Sequence, residues 1–330
     1  MTLVSIIVPC YNEQSTIRLL LDALYAQTYP RADMEVVIAD GLSSDDTRER
    51  IREFSSQHPE LQVRVVDNQQ RTIPSGLNHA LAAAKGEIIV RLDAHSVPAC
   101  DYVARCVSAL EQGHGDNVGG VWNIRPGGSG GMARAIAVAA AHPLGVGDAR
   151  YRYSRLAQAV DTVPFGAFRA GLVERIGRYD ETLLTNEDYE FNTRVRQSGG
   201  TVWLDPEIRS TYFARSSLAE LVRQYWRYGY WKACMLRRYP HTLRWRQALP
   251  PLFVLALLAL GFLSVWFLPA RWLLAGGASL YGLILLAAGV HSAWIKRDPL
   301  LLLAVPVAIA AMHLTWGSAF LWSLITGRTA

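Results

Sequence analysis

The stretch that decides the fold is VSIIVPCYNEQSTIRLLLDALYAQTYPRADMEVVIADG, residues 4–41. Its first apolar run ends in the polar residues Tyr11, Asn12 and Glu13, as a buried strand does where it enters a turn. Apolar residues then recur at helical spacing, and a second apolar run ends at Asp40. The order strand, helix, strand predicts a βαβ unit with parallel strands.

The same alternation continues to residue 96. A charged helix is predicted at 43–58, a strand at 61–68, a helix at 73–86 and a strand at 87–96. This pattern predicts a parallel α/β sheet, in which ligands bind beyond the carboxyl ends of the strands. Three polar sets fall at those ends: Tyr11–Glu13, Asp40–Gly41, and Asp93 with His95. Each set alone is also typical of a turn or a helix cap, so that structural reading stays open for any one of them.

A composition break near residue 249 divides the chain. Hydrophobic residues make up 51% of the 330 residues, but the last 82 are almost entirely apolar, and fixed charge there is confined to Arg271, Lys296, Arg297, Asp298 and Arg328. Three apolar runs, at about 249–268, 272–295 and 299–325, approach the ~20 residues that a transmembrane helix needs. We expect three transmembrane helices; a buried helical hairpin in a soluble protein is the alternative.

The segment 215–248, just before these runs, is amphipathic and basic. Leu, Tyr and Trp fall on one predicted helix face, with Arg and Lys on the other. A cluster of arginines follows (Arg237, Arg238, Arg244 and Arg246). This pattern predicts interfacial helices that contact the bilayer. No motif for nucleic-acid binding accompanies the net charge of +5, so nucleic acid is not an expected partner.

The basic residues also predict an orientation. The arginine cluster and Lys296–Arg297 place their segments in the cytoplasm, with the catalytic domain facing the cytoplasm and the chain multi-pass in the inner membrane. Arg328 argues against this orientation, because the C-terminus would then lie outside. The N-terminus carries no signal-peptide pattern, and the four cysteines are spaced neither for zinc nor for a disulfide framework, so we expect reduced thiols.

Five segments, in order, resemble glycosyltransferase family 2. They are SIIVPCYNE, VVIADGLSSDDT, RTIPSGLNHALAAAKGEIIVRLDAHS, GLVERIGRYDETLLTNEDYEFNTRVRQSGG and QYWRYGYW, and they cover residues 4 to about 231. The resemblance is strongest to the ExoA-type glucosyltransferases of succinoglycan assembly. It implies a GT-A catalytic domain at 1–214, a Rossmann-like, mostly parallel sheet flanked by helices, followed by the interfacial helices and a transmembrane domain at 249–330.

The family's functional residues carry over where the motifs match. Asp188 matches the general base, with Glu187 beside it. Asp93 and His95 match the element that holds a divalent metal, Mn²⁺ or Mg²⁺, on the donor diphosphate. Matches to the nucleotide and donor side, in which Asp40 reads the uracil ring, are Pro9, Tyr11, Glu13, Asp40, Arg71, Gly76, Asn78, Asp93, Gln224, Arg227 and Tyr228.

The chemistry that the resemblance implies needs both sets of residues. A cation can stabilise the charge of a departing UDP group, and carboxylates are hard oxygen ligands for it. A carboxylate within hydrogen-bond reach can accept the proton of the attacking acceptor hydroxyl, and one displacement inverts the anomeric centre. Because His95 stands where the family has a final Asp, and imidazole suits Mn²⁺ better than Mg²⁺, we expect Mn²⁺ to serve at least as well.

The expected function is therefore an inverting, metal-dependent hexosyltransferase. It transfers the sugar of a UDP-sugar, expected to be UDP-glucose, to a polyprenyl-diphosphate-linked glycan in exopolysaccharide or surface-polysaccharide assembly, alongside other enzymes of that assembly. The alternatives are a polyprenyl-phosphate sugar synthase, a processive polysaccharide synthase and a catalytically inactive membrane scaffold. The residue-level alternatives are that Glu187 and Asp188 only favour a helix start, that His142 is a satisfied structural residue, and that Arg150, Arg152 and Arg155 contact only water rather than a lipid diphosphate.

Overall fold

A mixed sheet of nine strands is the central feature of the computed structural model, which describes residues 2–327. The strands are β1 (Val4–Cys10), β2 (Met34–Asp40), β3 (Gln62–Asp67), β4 (Ile88–Arg91), β5 (Val97–Pro98), β6 (Asn117–Pro126), β7 (Gln158–Ala159), β8 (Ala167–Arg169) and β9 (Val202–Ala214). Their spatial order is β3-β2-β1-β4-β8-β6-β9-β5, and β7 pairs with β9.

The first four strands of this order are parallel, as the sequence predicts. β1 and β2 are buried along their whole length, which explains their continuous apolar runs. In the register, Cys10 lies opposite Asp40, and Asp40 lies opposite Asp67. The polar residues that follow these strands therefore meet at one edge of the sheet.

The other half of the sheet is antiparallel. β4 pairs with β8, β8 with β6, and β9 with both β5 and β7, all in antiparallel register. β5, β7 and β8 are only two or three residues long, too short to leave a periodic pattern in the sequence. The sheet is thus mixed, with a parallel half that carries the expected site edge.

Twelve α-helices occur among the described residues. They are α1 (Ile17–Tyr25), α2 (Thr47–Gln57), α3 (Ile73–Ala83), α4 (Tyr102–Glu111), α5 (Gly131–Ala141), α6 (Pro143–Val146), α7 (Gly171–Ile176), α8 (Glu187–Gln197), α9 (Leu218–Arg238), α10 (Trp245–Leu263), α11 (Leu268–Lys296) and α12 (Leu301–Thr326). α1 shows how the early helices join the core: it buries Ile17, Leu20, Leu21 and Leu24 on one face. That spacing is the helical periodicity seen in the sequence.

The described residues form two compact units. The first contains the residues up to Asn123 together with Tyr153–Tyr212; the second contains Ile124–Arg152 and the residues from Phe213 onward. The sequence placed the end of the catalytic domain at 214, two residues from the second division. It also assigned Ile124–Arg152 to that domain, whereas α5 and α6 within this segment contact α12.

Three helices of the second unit, α10, α11 and α12, are long and apolar enough to cross a membrane. Their bounds differ from the expected runs by up to five residues at the ends. The first helix begins early, at Trp245, where the Gln247 side chain accepts a hydrogen bond from the backbone N–H of Arg244 at 3.1 Å, ahead of the two prolines in its early turns. Arg328, which bears on the expected orientation, lies outside the described residues.

The helix α9, expected to lie in the membrane interface, packs along α12. Its buried face includes Leu221, Tyr225, Gly229 and Ala233. Gly229 allows close approach, because a Cβ atom there would lie 2.3 Å from the carbonyl oxygen of Trp316. The apolar face of α9 is therefore largely used within the second unit.

Candidate active site

The loops after β1 and β2 are tied together by hydrogen bonds. The backbone N–H of Asn12 donates to Ser43 Oγ at 2.8 Å, and Asn12 Oδ1 accepts from the backbone N–H of Ser44 at 2.9 Å. The N–H of Glu13 donates to Thr47 Oγ1 at 2.8 Å. Asn12 and Leu42 adopt positive φ angles of 54° and 56°, which bend both loops sharply where the strands end.

Asp40 anchors the second of these loops. Its side chain is fully buried, and its carboxylate accepts hydrogen bonds from Ser43 Oγ at 2.5 Å, from the Ser43 N–H at 3.0 Å and from Arg48 Nε at 2.5 Å. Arg48 also reaches Asp67 Oδ1 at 2.5 Å, so it joins the ends of β2 and β3. The described contacts give Asp40 a structural role; its contact with a uracil ring stays a prediction.

Five more of the residues matched to the nucleotide side fall into two groups. Pro9 and Gly76 are buried where α3 crosses β1, and a Cβ at Gly76 would lie 3.2 Å from Pro9 Cβ. Asn78 is also buried and fastens α3 to the backbone of Tyr179 by two hydrogen bonds. Tyr11, by contrast, is 43% exposed, and the guanidinium of Arg71 lies 5.7 Å from its ring centroid. Tyr11 and Arg71 are thus the two members of this set that a ligand can reach directly.

Glu13, Asp93 and His95 lie together at the end of β4. His95 Nδ1 is 3.1 Å from Glu13 Oε1, and His95 Nε2 is 3.9 Å from Asp93 Oδ2. His95 is the most accessible of the three, with 46% of its side chain exposed. The sequence suggested Glu13 for the nucleoside side; the structure places its carboxylate beside the imidazole.

Asp93 Oδ2 and His95 Nε2 lie close enough together to contact one divalent cation. Two ligands at ~2.1 Å from an ion can be at most ~4.2 Å apart, and Asp93 Oδ2 and His95 Nε2 lie within that span. Among residues 2–327, no group of three or more His, Cys, Asp or Glu side chains is arranged to hold a metal. Two protein ligands leave the remaining positions for diphosphate oxygens and water, as Mg²⁺ and Mn²⁺ sites on nucleotides usually require.

The acids Glu187 and Asp188 begin α8. Asn186, just before them, adopts a left-handed conformation with φ of 72°, which asparagine tolerates better than most residues. Glu187 is buried, and Asp188 keeps 22% of its side chain exposed. Burial raises the pKa of Asp188 well above the ordinary carboxyl value; Arg91 opposes this shift, and the charges of Glu187 and Asp93 add to it.

Arg91, the last residue of β4, joins the two carboxylate groups and was missed from the sequence. Its Nη1 lies 2.8 Å from Asp188 Oδ2, while its Nη2 lies 2.9 Å from Asp93 Oδ1 and 3.1 Å from Glu187 Oε1. The signal for it was present: an arginine closes an apolar, buried strand, and a buried charge is nearly always paired. The identity of its partners depends on tertiary contacts that the sequence does not reveal.

The second unit holds the candidates of α9 together with His142, Arg150 and Arg152. Gln224 Nε2 donates to the hydroxyl of Tyr228 at 2.9 Å, one turn apart on α9, and Arg227 lies on the same helix. Their expected role near a diphosphate stays a prediction. His142 Nδ1 accepts from the Leu144 N–H at 3.1 Å and so caps α6, which favours its structural reading. Arg152 is buried and donates to the carbonyl of Ala140 at 3.3 Å, which also favours a structural role.

Solved structures share this architecture. The mannosyltransferase PcManGT from Pyrobaculum calidifontis, in complex with GDP-Man and Mn²⁺, has a TM-score of 0.64 and 25% sequence identity over 95% of this chain and 87% of its own. Residues 1–349 of TarS from S. aureus, in complex with UDP, give a TM-score of 0.51 at 17% identity over 99% and 92% of the two chains, a likeness in fold alone. The fold is that of the GT-A glycosyltransferases, as expected.

Sequence comparison identifies the family. A model of glycosyl transferase family 2 matches residues 5–177. The succinoglycan biosynthesis protein ExoA of Rhizobium meliloti (strain 1021) is 30% identical over 98% of this chain and 95% of its own length. A dolichyl N-acetyl-α-D-glucosaminyl phosphate 3-β-D-2,3-diacetamido-2,3-dideoxy-β-D-glucuronosyltransferase of Methanococcus voltae is 25% identical over 100% and 99% of the two chains. The chain belongs to glycosyl transferase family 2.

Proposed function

We propose that the protein is an inverting, metal-dependent hexosyltransferase that uses a UDP-sugar, with UDP-glucose as the first candidate. The observation that carries this proposal is the pairing of two carboxylates through Arg91: Asp93 on the donor side and Asp188 on the acceptor side. Inverting transfer needs both a site for the leaving diphosphate and a separate base, and these two acids supply them.

Asp188 has the properties of a general base. Its raised pKa lies closer to neutral pH, where a general base is most effective. The exposed part of its side chain can be reached by an acceptor hydroxyl. Asp188 accepts the hydroxyl proton, while Arg91 keeps the carboxylate in place. Glu187 is too buried to meet an acceptor directly and acts beside Asp188 by its charge.

Asp93 and His95 would hold the divalent cation, which when bound offsets the charge of the departing diphosphate. Glu13 accepts a hydrogen bond from His95 when Nδ1 carries the proton, and Nε2 is then the imidazole nitrogen on the side of Asp93. Tyr11 and Arg71 form the accessible edge beside the nucleotide. The ion is proposed to be Mn²⁺ or Mg²⁺; PcManGT was solved with Mn²⁺.

The acceptor is proposed to be a sugar linked to a polyprenyl diphosphate in exopolysaccharide or surface-polysaccharide assembly. Three membrane-length helices in the same chain support a lipid-borne acceptor. The glucosyltransferase WfgD of Escherichia coli, whose name includes a GlcNAc-diphosphoundecaprenol acceptor, is 35% identical over 29% of this chain. The Methanococcus voltae relative is named for a dolichyl phosphate acceptor, so a lipid monophosphate is the second candidate.

A nucleotide-release screen tests the proposal. Full-length protein in detergent is given UDP-glucose, UDP-galactose, UDP-N-acetylglucosamine or GDP-mannose, each with polyprenyl-diphosphate-linked, polyprenyl-phosphate-linked or water-soluble sugars. We expect acceptor-dependent UDP release from UDP-glucose with the diphosphate-linked sugar. Release only with GDP-mannose, or only with water-soluble acceptors, contradicts the donor or the acceptor assignment respectively.

Two substitutions make the screen specific. Asp188→Asn should lower acceptor-dependent release by about 10²- to 10⁴-fold, the usual contribution of a general base. Asp116→Asn is the matched control, since Asp116 also pairs with an arginine, Arg175, at 2.6 Å, but at the opposite end of the sheet from the strand ends that form the site. Asp116→Asn should keep activity within about twofold. Undiminished transfer by Asp188→Asn would show that another group is the base.

A further inference from the structure

The guanidinium of Arg91 is shared by three carboxylates from two parts of the first unit. Asp93 follows β4, whereas Glu187 and Asp188 open α8, nearly 100 residues later in the sequence. The Arg91 side chain is 3% exposed. Its Nε atom has no hydrogen-bond partner among the described residues, although both Nη atoms are engaged. The position of the side chain thus pairs both Nη atoms with carboxylates and leaves the Nε–H without a hydrogen bond among the described residues.

The geometry requires an arginine. A guanidinium is a rigid planar fork that presents separate N–H groups to separate carboxylates. Here Nη1 faces Asp188, and Nη2 faces both Asp93 and Glu187. A lysine ammonium is a point charge on a flexible stem and cannot fix two carboxylates in relation to each other in the same way. Because the guanidinium is rigid, a movement that loosens it from Asp93 changes its position at Asp188.

We propose that Arg91 is a positioning residue that couples the donor-side carboxylate Asp93 to the acceptor-side carboxylates Glu187 and Asp188. This inference rests on the proposed function, which assigns Asp93 to the metal and diphosphate and Asp188 to the base. Asp188 and Glu187 hold the Arg91 guanidinium from the other side. This limits how strongly Arg91 pairs with Asp93. Removal of Asp188 lets the guanidinium turn toward Asp93 and compete with a cation for its oxygens.

Coupling by position differs from simple electrostatics in a measurable way. If Arg91 and Asp188 acted on a bound cation only through their fixed charges, their effects on binding would add, since Coulomb energies are pairwise sums. If Asp188 controls where the guanidinium lies, its removal has a larger effect when Arg91 is present. A double-mutant cycle reports this difference as an interaction free energy.

The experiment measures binding of UDP in the presence of MnCl₂ by titration calorimetry. It uses full-length protein in detergent at a fixed pH of about 8, where ordinary carboxylates are ionised. Four proteins are compared: wild type, Arg91→Met, Asp188→Asn, and the double variant. We expect Asp188→Asn to weaken binding at least about threefold more in the wild-type background than in the Arg91→Met background. Additive effects overturn the inference while leaving the proposed function intact.

Two further variants complete the test. Arg91→Lys keeps the positive charge but lacks the planar guanidinium. We therefore expect Asp188→Asn to weaken UDP binding in the Arg91→Lys background about as little as it does in the Arg91→Met background. An effect as large as in the wild-type background overturns the positioning role. Arg91→Lys also serves if Arg91→Met fails to fold. Arg64→Met is the matched control on β3, where Arg64 pairs with Glu35 at 2.6 Å, and should leave UDP binding unchanged. If wild-type protein binds no UDP with Mn²⁺, the donor assignment fails, and this inference fails with it.

Discussion

At the scale of single residues, the two carboxylates to which the proposal gives chemical roles, Asp93 and Asp188, differ in their surroundings. Asp93 lies next to the accessible His95, whereas Asp188 lies where burial and neighbouring acids raise its pKa. In the proposed mechanism the same type of side chain serves two tasks: Asp93 binds a cation, and Asp188, whose pKa is raised, accepts a proton. Such a division between two acids is a common way to run acid–base chemistry near neutral pH.

The raised pKa of Asp188 predicts a pH dependence. A base works only when deprotonated, so kcat/KM for transfer should rise with pH, with an apparent pKa above the ordinary aspartate value of about 3.9. The pH profile of kcat/KM for the wild-type enzyme, corrected for UDP binding at each pH, measures this apparent pKa. Since the direction of the shift is upward, activity is lost on acidification before ordinary carboxylates protonate. An apparent pKa at or below about 3.9 would contradict the environment described for Asp188.

His95 predicts a preference in metal use. His95→Ala removes the nitrogen that faces Asp93, and nitrogen ligands favour Mn²⁺ over Mg²⁺. We expect the variant to need several-fold more Mn²⁺ for half-maximal transfer, with a smaller change for Mg²⁺; metal titrations of activity measure this. His114→Ala is the control, because His114 stacks on Trp203 elsewhere in the first unit. Unchanged metal dependence in His95→Ala would mean that Asp93 and the diphosphate hold the ion and His95 only orients them.

At the scale of elements, close helix contacts in the second unit depend on small residues. Gly229 of α9 meets the backbone of Trp316 on α12, so Gly229→Ala must push the two helices apart. Overpacking of this kind usually lowers the free energy of unfolding by about 1–3 kcal/mol. The expected result is a lower unfolding midpoint in detergent, followed by circular dichroism.

Gly277→Ala on α11 is the matched control for this change. No heavy atom lies within 4 Å of a Cβ built at Gly277, so only the gain in helix propensity applies. Its midpoint should stay the same or rise. Equal loss of stability in Gly229→Ala and Gly277→Ala would show that the contact between α9 and α12 is not tight in the folded protein.

The sequence predicts long periodic elements well and short ones poorly. The strands β1 to β4 and the helices between them follow from their apolar runs, and so do the polar residues at the strand ends. β5, β7 and β8 are too short to leave such a pattern. The two long strands of the antiparallel half, β6 and β9, were not predicted either; β6 is buried only over its first four residues, and β9 contains Pro206. The contacts of Arg91 with Glu187 and Asp188 join residues far apart in the sequence, which no local pattern encodes.

At the scale of the whole molecule, the basic residues predict a topology. With the arginines before α10 and Lys296–Arg297 in the cytoplasm, the turn between α10 and α11 lies outside, and the turn between α11 and α12 lies inside. In intact cells, a membrane-impermeant maleimide should label Val265→Cys, whereas Pro299→Cys should react only after permeabilisation. Because Cys100 is itself exposed and would also react, both variants are made in a Cys100→Ser background. The opposite labelling pattern would contradict the proposed orientation.

The measurement that tests the central claim most directly is the anomeric configuration of the product. A single displacement, with Asp188 as base, must invert the donor carbon. Transfer from UDP-α-D-glucose to a polyprenyl-diphosphate-linked acceptor should therefore give a β-linked glucose, read from the anomeric proton coupling in the NMR spectrum of the released glycan. An α-linked product would contradict single displacement at this site and, with it, the role of Asp188.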